Sequence, residues 1–533
     1  MTYRSSLISQ VIVTAKQMRD IEERIFAAGM PVAALMEKVA GLISDRIEEI
    51  ITEQINISSP SSIYNKGGGT PPLLLAILAG PGHNGGDALV VARELHFRGY
   101  AVSIYCPFAN LKELTKQHFR YVESLGIPCH QSIDALQNCD LVIDGLFGYG
   151  LERELTNPIA SAINTVNEWS KPVISIDIPS GLHTDTGEVL GTAIHATHTL
   201  CLGLWKLGLL QDIALEYIGK AELIDFDIPS TDIEAVTSDT RIHRITRETA
   251  LASLPLPRPP VTHKYRQGHL LLICGSLRYA GGAILAGLGA RASGVGMLSL
   301  AVPESLKPLL VAQLPEALII GCPQTETGAI AELQLPANTD LNSFSAIACG
   351  PGLTTDAKPI VEQVLESTVP LVLDADALNI LAAMGAITTL QKRQAATVIT
   401  PHTGEFKRLF PDLPDAQTQR IPAVCEAANQ SSAIVLLKGA RTAVAHPNGN
   451  IWIVPESTPA LARGGSGDVL TGLLSGLLAQ SVNKSIAIEQ IVATSAWWHA
   501  QAGILAAQER TELGVDAYTL TQYLLKVLTS NLS

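Results

Sequence analysis

At 533 residues the chain is too long for one ordinary domain, and 47% hydrophobic against 16% charged residues excludes a disordered or coiled-coil protein in favour of compact α/β domains. A formal net charge of −13 argues against a duplex nucleic-acid surface and against an anionic membrane as partner. The eight cysteines (106, 129, 139, 201, 274, 322, 349, 425) show no CxxC pair and read as buried free thiols of a reducing compartment. With no signal-peptide pattern and no apolar run approaching the ~20 residues that span a bilayer, a soluble, cytoplasmic protein is expected.

In chain order, residues 14–51 read as helices, because Met18, Ile21, Ile25 and then Leu35, Val39, Leu42 recur at helical spacing. The polar, Gly/Pro-rich stretch Ile57–Pro72 reads as an exposed loop. Strand and helix signals then alternate: Leu73–Ala79 strand, Ala88–Phe97 helix, Ala101–Tyr105 strand, short apolar runs at Leu141–Asp144 and Val173–Asp177, and a further strand at Thr199–Leu204. This rhythm predicts a parallel sheet with helices on both faces. It breaks between about Phe226 and Pro260, where a domain boundary is expected, and resumes at His269–Cys274.

In the first half, Gly80-Pro-Gly-His-Asn-Gly85 satisfies GxGxxG, but no acidic residue ends the next strand and Asp87 stands where a pyrophosphate needs neutral amides, so a redox dinucleotide site is disfavoured. Asp144 precedes a second glycine-rich turn, and Asp177 ends an apolar strand before Ile-Pro-Ser180-Gly. Open parallel sheets bind ligands at the carboxyl ends of their strands, which gathers Asn84, Asp87, Asp144, Asp177 and Ser180. Each aspartate taken singly reads as a turn or helix cap; together, these oxygen ligands suit a hard cation and leave another carboxylate as a base.

These motifs, GHNGGD (82–87), IDGLFGYGLER (143–153) and DIPSG (177–181), make residues 10–230 resemble the NAD(P)H-hydrate epimerase family, which interconverts the R and S forms of hydrated NADH and NADPH. The resemblance implies a Rossmann-like three-layer αβα sandwich and a potassium ion held by Asn84, Asp144 and Ser180. It further implies substrate contacts from His83, Asn84, Gly85, Gly86 and Asp87, and from Gly148, Tyr149, Gly150, Leu151, Glu152, Arg153 and Glu154, with Asp177 as the proton-transfer group. His83, Ala88 and Tyr149 depart from the usual Asn-Asn-Gly-Gly-Asp-Gly and Gly-Thr-Gly patterns.

In the second half the most informative segment is Arg463-Gly-Gly-Ser-Gly-Asp468, running into the apolar helix pattern Val469–Ala479. Converging amides at a helix N-terminus bind anions, and an aspartate at the end of such a turn makes sense as a base facing a reacting hydroxyl. An N-capped helix after a glycine-rich turn is the plainer alternative. Lys438 can neutralise phosphate. Neither a GxxxxGK[ST] loop nor the protein-kinase motif set is present.

The ordered motifs HKY (263–265), YAGGA (279–283), CGPGL (349–353), DADALN (374–379), TPHTGE (400–405), KGART (438–442) and GGSGD (464–468) make residues 245–530 resemble the ADP/ATP-dependent NAD(P)H-hydrate dehydratase family, with a ribokinase-like αβα sandwich. Residues 231–260 are expected to form a linker that overlaps the start of this match. The resemblance implies substrate contacts at Ala283, Gly352, His402 and Asp468, with Asp468 catalytic. It places ADP or ATP, with Mg2+, against Lys438, Gly439, Ala440, Arg441, Thr442 and Gly467. Ser466 replaces a usual threonine and Arg441 a usual glycine. Substrates are then the hydrates NADHX and NADPHX, with no nucleic acid or membrane partner and a homo-oligomeric assembly expected. The competing readings are a ribokinase-like kinase of a vitamin or sugar alcohol fused to a sensing domain, and a first half that only binds ligand.

Overall fold

The computed structural model describes residues 3–54, 72–481 and 486–532, so the loop expected over 57–72 lies, Pro72 apart, outside the described residues. The chain divides into two compact units, residues 1–240 and 241–533. Among the described residues no helix is long and apolar enough to cross a membrane, and all eight cysteines are free.

The first unit is built on a seven-stranded, all-parallel sheet in the order Cys129–His130, Ala101–Tyr105, Leu74–Ala79, Leu141–Gly145, Val173–Ile176, His198–Leu202, Lys220–Ile224. Its strands are apolar at nearly every position because both faces are covered. Leu75, Ile77 and Ala79 pack with helices Ala15–Ala27, Val32–Gln54 and His83–Phe97. The alternate residues Ala76 and Leu78 pack with Ile159, Ile163 and Val166 of helix Ile159–Glu168 on the other face. Order reverses between strands 74–79 and 141–145, and the crevice beyond that point is where this class of sheet presents its ligand groups. The helix expected over 88–97 begins earlier, at His83, so the glycine-rich turn forms its first turn.

The second unit carries a ten-stranded sheet in the order Ile242–Arg244, Ile451–Ile453, Ala443–Ala445, Ile434–Leu437, Thr397–Ile399, Leu371–Leu373, Ala346–Cys349, His269–Ile273, Met297–Pro303, Leu318–Cys322. Only Ala443–Ala445 runs against the others. Leu270, Leu272, Ala346 and Val372 pack with helices Ala280–Ala292, Ser466–Ser481 and Ile488–Arg510, and the alternate residues Leu271, Ile273, Ile347 and Leu371 are buried on the opposite face. Helices 280–292 and 466–481 meet backbone to backbone. A Cβ at Gly472 would stand 1.9 Å from the carbonyl oxygen of Ala286, and one at Gly289 would stand 2.2 Å from that of Val469. This contact fixes the start of helix 466–481 against helix 280–292.

The segment expected to be a linker, 231–260, holds regular structure in its first part. Helix Ser230–Thr237 belongs to the first unit, while strand Ile242–Arg244 pairs with Ile451–Ile453 and helix Arg247–Ala252 follows in the second. Regular elements therefore run to within a few residues of the division on both sides.

Candidate active sites

In the first unit, Asp144 ends strand 141–145 and is fully buried. Its carboxylate accepts from Ser180 Oγ at 2.6 Å, Ser180 N at 2.9 Å, Ser175 Oγ at 2.9 Å and Leu146 N at 3.2 Å. Burial pushes this carboxyl up, opposed by the hydrogen bonds from Ser180, Ser175 and Leu146. Asn84 Nδ2 donates to the Ile176 carbonyl at 3.4 Å, which ties the helix start to the neighbouring strand end. Asn84, Asp144 and Ser180 are thus brought to one corner of the sheet. The four donors to Asp144 are neutral, so an oxygen-lined corner holds a buried acid whose charge no hydrogen-bonded cation balances. Carboxylate, hydroxyl and amide oxygens are the ligand types that a hard cation takes.

Asp177 lies beside this corner, 3% exposed, with φ at +70°, a conformation a non-glycine residue adopts only when its surroundings hold it there. Three contacts do so: Tyr149 N donates to Oδ2 at 3.0 Å, Leu202 N to Oδ1 at 3.3 Å, and Lys206 Nζ lies 2.5 Å from Oδ1. Lys206 is wholly buried and also donates to the Leu202 carbonyl. Burial pulls its ammonium down most strongly of any single influence, but the charge and hydrogen bond of Asp177, with Cys201 and Glu22, together outweigh it and hold it above the ordinary lysine value.

A cleft of about 640 Å³ opens over these groups, lined among others by Glu22, His83, Asn84, Asp87, Phe147, Tyr149, Arg153, Asp177 and Lys206. Asp87 is pushed well up by burial and by the charges of Glu22 and Asp177. Of the expected contacts, Gly148, Gly150 and Leu151 also line the cleft. Glu152 and Glu154 are exposed and do not line it. Gly85 and Gly86 are buried inside the helix start; a Cβ at Gly85 would stand 1.9 Å from the Gly80 carbonyl oxygen, so this glycine serves close backbone packing. Lys206 and Glu22 are functional candidates that sequence reasoning missed. The one available signal was a lysine in the otherwise apolar run Leu200–Leu210.

In the second unit, Asp468 sits in the first turn of helix 466–481, half-buried. A Cβ at Gly282 would stand 3.3 Å from its Oδ2 and 3.6 Å from Gly352 N, so Asp468, Gly282 and Gly352 converge. Burial and the charge of Asp374 push the Asp468 carboxyl up to about 7, with Lys438 opposing. Lys438 Nζ lies 2.8 Å from Asp374 Oδ1 and 3.8 Å from Glu405 Oε2, and Thr471 Oγ1 donates to Asp374 Oδ2 at 2.7 Å. A Cβ at Gly467 would stand 3.5 Å from the same Nζ, which joins the glycine-rich turn to the lysine. Gly439 and Ala440 are exposed on the turn after strand 434–437, and Thr442 Oγ1 closes that turn on the Gly439 carbonyl. Buried Arg420 braces it by donating to the carbonyls of Leu437 and Arg441, both at 2.9 Å.

Two expected contacts take different places. Ala283 is fully buried, and a Cβ at Gly275 would stand 3.0 Å from its Cβ, so its side chain packs against the turn that carries Gly275 beneath Gly352. His402 caps helix Thr403–Leu409: its Nδ1 accepts from Gly404 N at 3.0 Å and Glu405 N at 3.4 Å, which places the ring proton on the exposed Nε2. His499, missed from sequence, is 7% exposed beneath the GGSGD turn, with Nε2 2.9 Å from the Ser466 carbonyl and 3.3 Å from Ser466 Oγ. Burial pulls its imidazole down to about 4, so it is neutral and donates to the carbonyl.

Comparison with known proteins agrees with this division. Residues 32–208 match the family model described as YjeF-related protein N-terminus, and residues 270–526 match that described as NAD(P)H-hydrate dehydratase. The chain is 52% identical to the bifunctional NAD(P)H-hydrate repair enzyme Nnr of Synechocystis sp., over 97% of this chain and 94% of that protein. It is 46% identical to the protein of the same name from Gloeobacter violaceus, over 99% of each. Among solved structures, the ADP/ATP-dependent NAD(P)H-hydrate dehydratase of Bacillus subtilis, co-crystallised with ATP and Mg2+, is 34% identical with a TM-score of 0.47, covering 54% of this chain and 97% of that one.

Proposed function

Since the chain belongs to the family of bifunctional NAD(P)H-hydrate repair enzymes, we propose that its first unit epimerises the R and S hydrates of NADH and NADPH in the Asp177 cleft and its second dehydrates the S hydrate at Asp468, at the expense of ADP or ATP. The observation that carries this reading is one aspartate per unit at the ligand edge of its sheet, each within the field of a buried or half-buried lysine: Asp177 with Lys206, Asp468 with Lys438. A dehydratase that takes a single epimer leaves the other to accumulate, and an epimerase on the same chain returns it to use.

In the second unit the chemistry follows from leaving-group ability. Hydroxide departs poorly from the hydrated ring and phosphate departs well. Asp468 accepts the proton of the ring hydroxyl as its oxygen attacks the terminal phosphoryl group of the nucleotide. The amides that open helix 466–481 and the Lys438 ammonium stabilise the charge on the transferring group. Phosphate then leaves with the C–O bonding pair, a proton is lost from the adjacent ring carbon, and the double bond of NAD(P)H returns. Nucleotide is assigned to residues 438–442 and Gly467. Asp374 and Glu405, beside Lys438, would be the carboxylates to hold Mg2+, which would supply further positive charge near the phosphoryl group.

In the first unit Asn84, Asp144 and Ser180 would hold potassium, which supplies the countercharge that Asp144 lacks among its neutral donors. Asp177 moves the proton of the substrate hydroxyl, and the 83–87 and 148–153 segments shape the cleft around the ring. The protein is assigned to the cytoplasm, where both nucleotide pools lie.

The deciding experiment follows NADH absorbance on an R,S-hydrate mixture with ATP or ADP and potassium, for wild type and Asp177→Ala. Full conversion by wild type and a stall at the S fraction by the variant are expected. No recovery with either nucleotide defeats the repair reading.

A further inference from the structure

The cations around the cleft of the first unit are not alike. Lys206 is buried and committed to Asp177 at 2.5 Å. Arg19, Lys112 and Arg153 also line the cleft but are exposed, and none of them forms an ion pair among the described residues. The other cations of helix 15–27 are taken: Lys16 Nζ lies 2.6 Å from Asp20 Oδ2, and Arg24 Nε lies 3.0 Å from Asp232 Oδ1. Arg19 is the cation that this helix leaves to the cleft.

Two contacts fix where its guanidinium stands. Arg19 Nη2 lies 3.4 Å from the position of a Cβ at Gly150. Arg19 and Glu22, at i and i+3, share a helix face, and Glu22 Oε2 accepts from the Tyr149 hydroxyl at 2.5 Å, which ties that face to the loop carrying Gly150. The loop is in turn pinned to Asp177. A Cβ at Gly148 would stand 3.1 Å from Asp177 Oδ2, Tyr149 N donates to the same oxygen at 3.0 Å, and Gly150 N donates to Thr184 Oγ1 at 3.1 Å. The glycine against Asp177 and the glycine against Arg19 are thus two residues of chain apart, at most ~7 Å. Lys112 belongs to another wall. It precedes helix Glu113–Ser124, its backbone N–H donates to the Pro81 carbonyl at 3.0 Å, and its charge acts on His83.

In a hydrated nicotinamide nucleotide, the carbon that carries the added hydroxyl is bonded to the ring nitrogen. That nitrogen carries a ribose, and the ribose 5′-oxygen carries the first phosphate. With the hydroxyl at Asp177, this phosphate lies one sugar away, the distance over which the 148–150 loop leads to Arg19. Arginine offers a planar fork of N–H donors that matches phosphate oxygens, and it stays charged at any working pH. We propose that Arg19 binds the phosphate on the nicotinamide ribose, so that the cleft selects phosphorylated nicotinamide hydrates over the riboside, an assignment that rests on the epimerase reading of this unit. Arg19 moves no proton. It anchors one end of the substrate while the hydrated ring meets Asp177 at the other. The adenylate half lies outside this contact, so a hydrated mononucleotide meets the same requirement as a dinucleotide.

The test is conversion of purified R-NADHX to its S form by the full chain without ADP or ATP, so that only the first unit turns over. Nicotinamide mononucleotide and nicotinamide riboside, which differ by that one phosphate, serve as competing inhibitors of wild type, Arg19→Gln, Arg19→Lys and Lys112→Gln. The mononucleotide should inhibit wild type about tenfold or more better than the riboside, as a charge-assisted contact to one phosphate implies. Arg19→Gln should erase that difference by weakening the mononucleotide alone, and should raise KM for R-NADHX more than it lowers kcat. Arg19→Lys keeps the charge without the fork and should recover part of the difference. Lys112→Gln should leave it as in wild type. A difference that survives Arg19→Gln, or one that Lys112→Gln abolishes instead, overturns the assignment. So does an equal weakening of both inhibitors by Arg19→Gln, which marks a disturbed helix rather than a lost phosphate contact. Wild type that leaves R-NADHX unconverted defeats the epimerase reading, and the assignment falls with it.

Discussion

The two units place an aspartate at the same edge of the same kind of sheet and prepare it in opposite ways. Asp177 is 3% exposed and joined directly to Lys206. Asp468 is half-buried, its nearest cation is spent on Asp374, and burial with that second carboxylate lifts it to about 7. The first arrangement holds the carboxylate in place through an ion pair inside the fold. The second keeps one carboxylate close to its midpoint, so that it takes a proton from a hydroxyl and releases it to water within a turnover. Reversible inversion needs an acid and a base present together. Phosphoryl transfer followed by elimination needs one base that resets.

The contrast breaks most visibly at the ion pair. Replacing one partner of a buried pair leaves an uncompensated charge, so Lys206→Met should cost the first unit about 3–5 kcal/mol at neutral pH. The denaturant midpoint measured at pH 7 checks this. A midpoint unchanged at pH 7 would mean that the pair contributes nothing to holding Asp177.

The second effect is on rate. Asp468 acts as a base only when ionised, so kcat/KM for S-NADHX should fall about tenfold for each pH unit below about 7 and level off above it. Asp376→Asn removes a neighbouring negative charge that raises Asp468 and should move this acid limb to lower pH. A profile flat from pH 5 to pH 8 would place the base elsewhere.

Both sheets and both strand-edge clusters were legible in the sequence, because buried parallel strands read as apolar runs and the ligand turns are spelled in glycine, proline and aspartate. The groups that tune the aspartates were not. Lys206 lies 29 residues from Asp177 in the chain, and a single lysine near a strand reads as a solvated side chain until the fold closes over it. Glu22 sits on an amphipathic helix, where a glutamate ordinarily marks the wet face. Strand 242–244 was expected as linker because its partner, 451–453, lies some 200 positions along the chain, and three residues of Ile-His-Arg carry no local strand signal. Gly85 and Gly86 matched a motif, but their use is close packing against Gly80 and Met36, which a motif does not distinguish from ligand contact.

The smallest expected effect concerns His499, the buried support of the GGSGD turn and a third way in which this fold prepares a site: a neutral donor with no charge near the reaction. Its folded value of about 4 lies below the ordinary histidine value, so the unfolded chain binds a proton that the folded one refuses. The stability this neutral group contributes is complete above about pH 6.5 and is lost as the pH falls towards 4. His499→Asn removes that acid sensitivity while offering an amide in place of the ring N–H. The variant should therefore lose about 1–2 kcal/mol at pH 7, from imperfect replacement of the hydrogen bond to the Ser466 carbonyl, and recover part of the difference from wild type at pH 5. Dehydration should slow with kcat rather than KM, because the turn that loses its support is the one facing the transferring phosphoryl group. An equal loss at both pH values would show that His499 acts through packing alone, and the acid response of the second unit would then belong to its carboxylates.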